Sequence, residues 1–363
     1  MTLLAPGPVS AAIAAAQPGD LIRLQSGVYP ETLVVDRAVT IMAETPGETV
    51  ISPPGNACAL YITGNATVTS LVIDTGERQN DRGVINNGVE IVSASPHLQD
   101  LRCTGAGIGL LVSGAGSCVR LDGGQFLRCR YGVHVTQGGR ALLFDCVIAD
   151  TFTYPLLIDT GGTVEAVDTQ FVATTIGAVI ISADSSADFA GCIWRESPTV
   201  DQKQRRFEAQ LIIMAGGAAT LRAGCRVLAG PAIGILVEGG KLTMDHAEIS
   251  GNGWAGLQLS RNAIAELAHC DVSANGGVGV LVTDASVLTA RDLRVCGNKA
   301  VGVLVSDLAA AEIIASRISG NLGGALLAGD GRLRLVDCDL SGNLNGPTRI
   351  DGRSSPEMIR VRV

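Results

Sequence analysis

From residue 21 to residue 345 the chain alternates short runs of apolar and polar positions, broken at regular intervals by glycine or asparagine. The clearest copies are ISGNGWAGLQLS, VSANGGVGVLVT, VCGNKAVGVLVS, ISGNLGGALLAG and LSGNLNGP. Their asparagines, Asn252, Asn275, Asn298, Asn321 and Asn343, stand 23, 23, 23 and 22 residues apart. A glycine column accompanies them as Gly256, Gly279, Gly302 and Gly324, and continues backward through Gly234, Gly177, Gly132, Gly109 and Gly88, with Pro155 in one slot. Steps of this size correspond to one turn of a three-sided coil of strands. After each glycine the pairs Ile235 and Val237, Leu257 and Leu259, Val280 and Val282, and Val303 and Val305 recur at alternate positions. Such residues share one face and stack at about 4.8 Å per coil. Gly and β-branched residues recur too often after residue 20 for a helix. The pattern predicts an all-β fold, a right-handed single-stranded parallel β-helix of about a dozen coils.

The columns have physical reasons. Asn tolerates left-handed backbone and can bond a neighbouring backbone or side chain, which suits a corner stacked coil on coil. Cys225, Cys270 and Cys338, with Cys146 in the equivalent slot, lie five residues before the corner, and Val227, Val272 and Leu340 follow on the same inward face. Cys296 is expected in the adjoining inward slot. These are expected to be buried free thiols acting as small hydrophobes. Because an open solenoid exposes core at both ends, residues 1–20 are read as an N-terminal cap with a short amphipathic helix in PVSAAIAAAQPGD and Ser10 as its cap. Residues 21–345 are the coils of a single domain, and 346–363 a C-terminal cap. Two charged excursions, 74–83 and 195–208, lengthen their coils and map to candidate binding loops. Arg78, Asp81, Arg82, Lys203, Arg205 and Arg206 are the contacts they offer.

Composition agrees with narrow stacked cores: 46 Gly among 363 residues and only 3% aromatics. A net charge of −8 disfavours nucleic acid or an anionic membrane as partner. No stretch approaches the length of a membrane span. The first residues carry neither a basic region nor a signal-length apolar run, so the expectation is a cytoplasmic protein. No Gly-rich phosphate loop precedes a helix, and no CxxC pair or Cys/His cluster of zinc spacing occurs, so no cofactor and no metal are expected.

The opening segment, with AIAAAQPGD, the GVYPE turn and the VTI strand, resembles the first coil of the pectin lyase-like superfamily of β-helix proteins. These residues are structural there, so the resemblance implies a fold. Enzymes of that superfamily are mostly polysaccharide lyases, hydrolases, epimerases or esterases, with catalytic groups on an outer sheet face. The signatures of polygalacturonases, alginate epimerases, pectin methylesterases and pectate lyases are absent from this sequence, as is the calcium-binding nonapeptide repeat.

Candidate chemistry lies in outward columns. His246 and Glu248, His269 and Asp271, Asp292 and Arg294, Arg317, then Asp337 and Asp339 occupy positions six and four before the corner. One reading makes His269 or His246 a base, with Arg294 or Arg317 stabilising developing negative charge. The other reading is charge pairing on an exposed sheet. A second column, Leu111, Leu157, Val179, Leu236, Leu281, Leu304 and Leu326, interrupted by Glu90, His134 and Gln258, reads as an outward apolar stripe. Soluble proteins rarely leave such a stripe wet. The sequence therefore favours a non-catalytic scaffold or recognition module that meets a protein partner or a second copy of itself. The alternative is a carbohydrate-active β-helix enzyme using the His/Asp/Arg ladder on a carbohydrate ligand.

Overall fold

The computed structural model describes residues 2–5, 7–76, 86–173, 179–196, 209–351 and 356–363. The chain is an all-β, right-handed parallel β-helix of about 13 turns, with one short helix among the described residues. It packs as two compact units, Met1–Gly177 and Ala178–Val363. The same three-stranded coil builds each unit, and a complete coil contributes one strand to each of three parallel sheets.

In the first unit, the first sheet runs through Leu21–Leu24, Thr40–Ala43, Thr67–Thr69 and His97–Gln99, and the second through Gly27–Tyr29, Thr49–Ile51, Val72–Asp74 and Arg102–Thr104. The third runs through Leu33–Val35, Leu60–Ile62, Asn87–Val92, Ile108–Ser113, Tyr131–Thr136 and Tyr154–Ile158. Alternation sends Leu110, Val112, Val133, Val135, Leu156 and Ile158 into a dry core. The helix, Val9–Ala15, closes the end of this core by burying Val9 and Ile13. Its cap differs from the sequence expectation. The helix starts after Pro8, so Ser10 is already inside the first turn, and no side chain of the segment caps it. The Glu31 carboxylate serves instead, accepting from the Val9 and Ser10 amides at 2.6 and 2.9 Å. A carboxylate there also meets the positive end of the helix.

In the second unit, the third sheet runs through Val179–Ile181, Ala209–Met214, Ile233–Glu238, Leu257–Ser260, Val280–Val282, Val301–Val305, Gly323–Ala328 and Thr348–Asp351. The C-terminal segment is a partial last coil. Thr348–Asp351 pairs with Gly323–Ala328, and Glu357–Ile359 pairs with Arg332–Val336.

The asparagine column is an internal ladder. Each side-chain amide donates to the next side-chain oxygen, Asn252 to Asn275 at 3.0 Å, Asn275 to Asn298 and Asn298 to Asn321 at 2.9 Å, and Asn321 to Asn343 at 3.1 Å. The same oxygens accept the backbone amide of the preceding coil's asparagine at 3.0 Å. Left-handed backbone belongs to the residue before each asparagine (Gly251, Ala274, Gly297, Gly320 and Gly342), where the sequence reading placed it on the asparagines themselves. The neighbouring glycines are required by space. A Cβ on Gly256 would lie 2.7 Å from the Asn275 amide and 2.8 Å from the Gly279 carbonyl. In the coil where Gly230 replaces the asparagine, Gln210 reaches across, donating to Asn252 Oδ1 at 3.1 Å and the Leu228 carbonyl at 2.7 Å.

All ten cysteines are free thiols, and Cys146, Cys225, Cys270 and Cys338 are buried as expected. Burial pushes the Cys146 thiol up to about 12 and the Cys270 thiol up to about 11. Cys296 departs from expectation. In the three-residue strand Arg294–Cys296 only Val295 faces the core, and Cys296 is half-exposed. A strand this short has one inward position, and alternation assigns it to the middle residue.

Candidate functional site

The charged ladder is assembled in the second unit at the corner between its first and second sheets. Arg226, Glu248, Asp271, Arg294 and Arg317 are direct register neighbours on the second sheet. The residues two positions earlier do not sit on a strand, as alternation had implied. His246, His269, Asp292 and Asp337 occupy the corner itself with φ of 52°, 52°, 49° and 54°. Asp, Asn and His are the residues that tolerate this region best after glycine, so local backbone alone favours them here. His246, Glu248, His269, Asp271, Asp292 and Arg294 line one shallow depression of about 520 Å³, floored by Cys225, Ala247 and Cys270. Arg317 does not line it, and its Nε donates to the Ser319 hydroxyl at 3.1 Å.

Within the depression the charges are largely spoken for. Arg294 pairs with Asp271, and Arg226 lies 3.4 Å from Glu248. The Asp271 carboxylate in turn holds the Arg294 guanidinium above its ordinary range. His246 and His269 stack with ring centroids 4.5 Å apart. The Nδ1 atom of each lies 2.9 Å from the same oxygen, Asp245 Oδ1. Hydrogen bonds from His269 and then His246 hold the Asp245 carboxyl below the usual carboxylate range. The two His side chains are 63% and 48% exposed. Solvation of this kind weakens both charge coupling and general-base chemistry.

The first unit carries a cluster that sequence reasoning passed over. On the outer face of its third sheet, His134 stands in register between Leu111 and Leu157, and Tyr131 between Ile108 and Tyr154. His134 Nε2 lies 3.2 Å from Asp159 Oδ2, and the Thr136 hydroxyl donates to the other carboxylate oxygen. Asp159 reaches this position because it opens a tight turn whose next residues, Thr160 and Gly161, have φ of 49° and 76°. Two successive positive φ values reverse the chain within the width of one corner. The Tyr131 and Tyr154 rings are 5.9 Å apart, Tyr131 lies 6.4 Å from the His134 ring, and the Arg130 guanidinium sits over Tyr131 at 5.5 Å. His134 and Asp159 are 19% and 27% exposed, reachable yet shielded. This is a base held by an orienting carboxylate beside an aromatic platform. The signal in the sequence was the recurrence of Tyr131 and Tyr154 at one coil's spacing, next to a polar residue breaking an apolar column.

The apolar stripe is corrected at one position. Val179 is buried and faces the core, while the register places Ile180 and Ile212 outward with Leu236, Gln258, Leu281, Leu304 and Leu326. The strand Val179–Ile181 is offset by one from the glycine count, and a one-residue slip turns every side chain to the other face. Leu111, Leu157, Leu281, Leu304 and Leu326 do face outward, half-buried, whereas Leu236 is covered by Ala209, Ile233 and Ala255. Arg78, Asp81, Arg82, Lys203, Arg205 and Arg206 lie outside the described residues.

The fold is that of a right-handed parallel β-helix protein. The family model described as "Right handed beta helix region" matches residues 210–361. Among solved structures, the chain is similar to the catalytic domain of a GH87 α-1,3-glucanase in complex with tetrasaccharides, at 9% identity and a TM-score of 0.50, over 98% of this chain and 68% of that one. It is also similar to the A-module of the mannuronan C-5 epimerase AlgE6 of Azotobacter vinelandii, at 14% identity, a TM-score of 0.46, and 97% and 92% coverage. A mannuronic acid-specific family 6 polysaccharide lyase from human gut microbiota aligns at 10% identity, a TM-score of 0.41, and 98% and 91% coverage. At these identities the likeness is one of fold. No curated protein matches the chain. Among the described residues no helix is long and apolar enough to cross a membrane.

Proposed function

We propose that this protein is a carbohydrate-active β-helix enzyme whose site is the outer face around His134 in the first unit. The observation that carries the reading is the His134–Asp159 pair at 3.2 Å, shielded from bulk water and flanked by Tyr131, Tyr154 and Arg130. A sugar ring has an apolar C–H face that packs on aromatic rings and hydroxyl edges that need polar partners. Tyr131 and Tyr154 supply the first, and Arg130 supplies a cation for a carboxylate or a developing oxyanion. Asp159 fixes the imidazole's orientation and stabilises it when it takes a proton, and Thr136 fixes Asp159. The reaction class is proton abstraction from a sugar carbon, or activation of water, with His134 as base. The carbohydrate-active neighbours in the fold comparison agree with this substrate class. The ladder of the second unit suits the chemistry less well, because the guanidinium groups of Arg226 and Arg294 are paired and its imidazoles are solvated.

The test is a panel of neutral glucan and uronate oligosaccharides assayed for new unsaturated ends, new reducing ends, and solvent deuterium entering the ring. The expected result is turnover of one class, lost at least about a hundredfold in His134→Gln with the circular dichroism unchanged. Turnover that survives His134→Gln, or no binding of any member of the panel, overturns the assignment. A second reading, a recognition module acting through a protein partner or a second copy of the chain, is favoured by the half-buried leucines of the second unit's third sheet. Replacing Leu281 and Leu304 with Glu would then lower the mass seen by light scattering. An unchanged mass would remove self-association.

A further inference from the structure

We infer that Asp245, His246 and His269 form a binding site for a divalent transition-metal ion of the zinc and cobalt class. The ligand atoms are one carboxylate oxygen and two imidazole nitrogens, all within 4.8 Å of one another. Asp245 Oδ1 lies 2.9 Å from both Nδ1 atoms. A metal bound at about 2.0–2.1 Å from nitrogen and about 2.0–2.2 Å from oxygen, with bond angles between square and tetrahedral, needs N···O separations of about 2.9–3.4 Å. Both N···O separations therefore lie at the short end of the range an ion imposes, and the two nitrogens, within 4.8 Å of each other, would close on it together.

The coils explain why. His246 and His269 occupy the same left-handed corner of successive turns, so their rings stack at 4.5 Å with planes 23° apart and aim the same nitrogen to one side. Asp245 ends the strand Lys241–Asp245 immediately before that corner and faces both. Charge favours a cation as well. Among the described residues, no Lys or Arg lies within ion-pair distance of Asp245 or of Asp292, which sits 3.6 Å from His269 Nε2. The nearby guanidinium groups of Arg226 and Arg294 are turned to Glu248 and Asp271. Two imidazoles and a carboxylate are the donor set that zinc, cobalt, nickel and copper prefer over calcium or magnesium. Three protein ligands leave the remaining coordination positions open to solvent.

This site is separate from His134 and its fate does not depend on that of the proposed enzyme site. The experiment is calorimetric titration of the purified full chain with Zn²⁺ and Co²⁺, together with the visible spectrum of the cobalt form and the paramagnetic resonance of the Cu²⁺ form. The variants are His246→Asn and His269→Asn, which keep a residue suited to the left-handed corner, with Asp245→Asn as the third and His97→Gln as control. The expected result is about one equivalent bound, and hyperfine coupling from two imidazole nitrogens. Each ligand variant should weaken binding at least about tenfold, and His97→Gln should leave it unchanged. Wild-type binding equal to that of the His246→Asn/His269→Asn double variant overturns the proposal. So does a sulfur-to-cobalt charge-transfer band, which would place the ion on the thiols.

Discussion

Replacing Asn275 with Ala tests what the buried amide ladder contributes to stability. The Asn275 side chain makes three bonds in the core: its amide donates to Asn298 Oδ1 at 2.9 Å, and its oxygen accepts from the Asn252 backbone and side-chain amides at 3.0 Å each. Truncation leaves the Asn252 backbone amide with no acceptor at a position of zero exposure. The Asn252 side-chain amide keeps only long contacts, 3.5 Å to the Val227 carbonyl and 3.4 Å to that of Ser250. Asn298 Oδ1 fares better, because it still accepts from the Asn275 backbone at 3.0 Å. One fully orphaned donor and one weakened one, at about 1–3 kcal/mol each, give a cost of about 2–5 kcal/mol. Asn343→Ala at the half-exposed end of the ladder should cost about 1 kcal/mol, since water can replace the lost partner there. Urea unfolding followed by circular dichroism and by the fluorescence of Trp194 and Trp254 would measure both. The two probes also reveal whether the transition is cooperative, which a stack of nearest-neighbour repeats does not guarantee. A cost for Asn275→Ala below about 1 kcal/mol, or no larger than for Asn343→Ala, would refute the ladder's energetic role.

Two further outcomes follow from the same structure. A thiol reagent at pH 8 should label the half-exposed Cys118 and Cys296 first, and reach Cys146, Cys270 and the other buried thiols only on unfolding; uniform labelling of all ten in the folded protein would contradict the core assignment. A hydrogen bond from Arg360 holds the Asp337 carboxyl below its ordinary range, so its contribution to holding the last coil is present above about pH 4 and disappears as pH falls through the depressed value. Hydrogen exchange at the Asp337 amide, which donates to the Ile359 carbonyl at 2.9 Å, should show that loss of protection once intrinsic rates are removed, and Arg360→Gln should reproduce it at neutral pH. Unchanged protection in Arg360→Gln would exclude the pair as a clasp.

Much of the coil was legible because its causes are local and repeated. A strand with one buried face must alternate, and a column that recurs every 23 residues must stack, so the cores around Val280 and Val303 followed directly. Val179 failed because the column was counted from a glycine, whereas register is set by hydrogen bonding between coils. Cys296 failed because a three-residue strand offers one inward place and Val295 takes it. The candidate sites were harder for a different reason. His246 and His269 are 23 residues apart in the chain and 4.5 Å apart in space, so spacing rules for metal ligands within a short loop overlook them. His134 was read as an interruption of an apolar column, since nothing in its own strand announces Asp159 a full turn of backbone later. In a solenoid the neighbour that matters for chemistry is one turn away, and only the coil length reveals it.

The amide ladder also bears on how such a chain can lengthen or shorten. Asn252, Asn275, Asn298 and Asn321 each donate toward the following coil, and each asparagine after the first accepts from the preceding one, so a whole turn carrying the same column can be inserted or removed without leaving a broken bond. A change of one residue, by contrast, displaces the asparagine, the glycine beside it and the inward valines together. Gln210 shows what a mismatched join requires: where Gly230 interrupts the series, a longer side chain from another strand spans the gap. The natural increment of growth in this architecture is therefore the complete turn, and Gln210 has the form of a seam between stretches of turns that do not share one pattern.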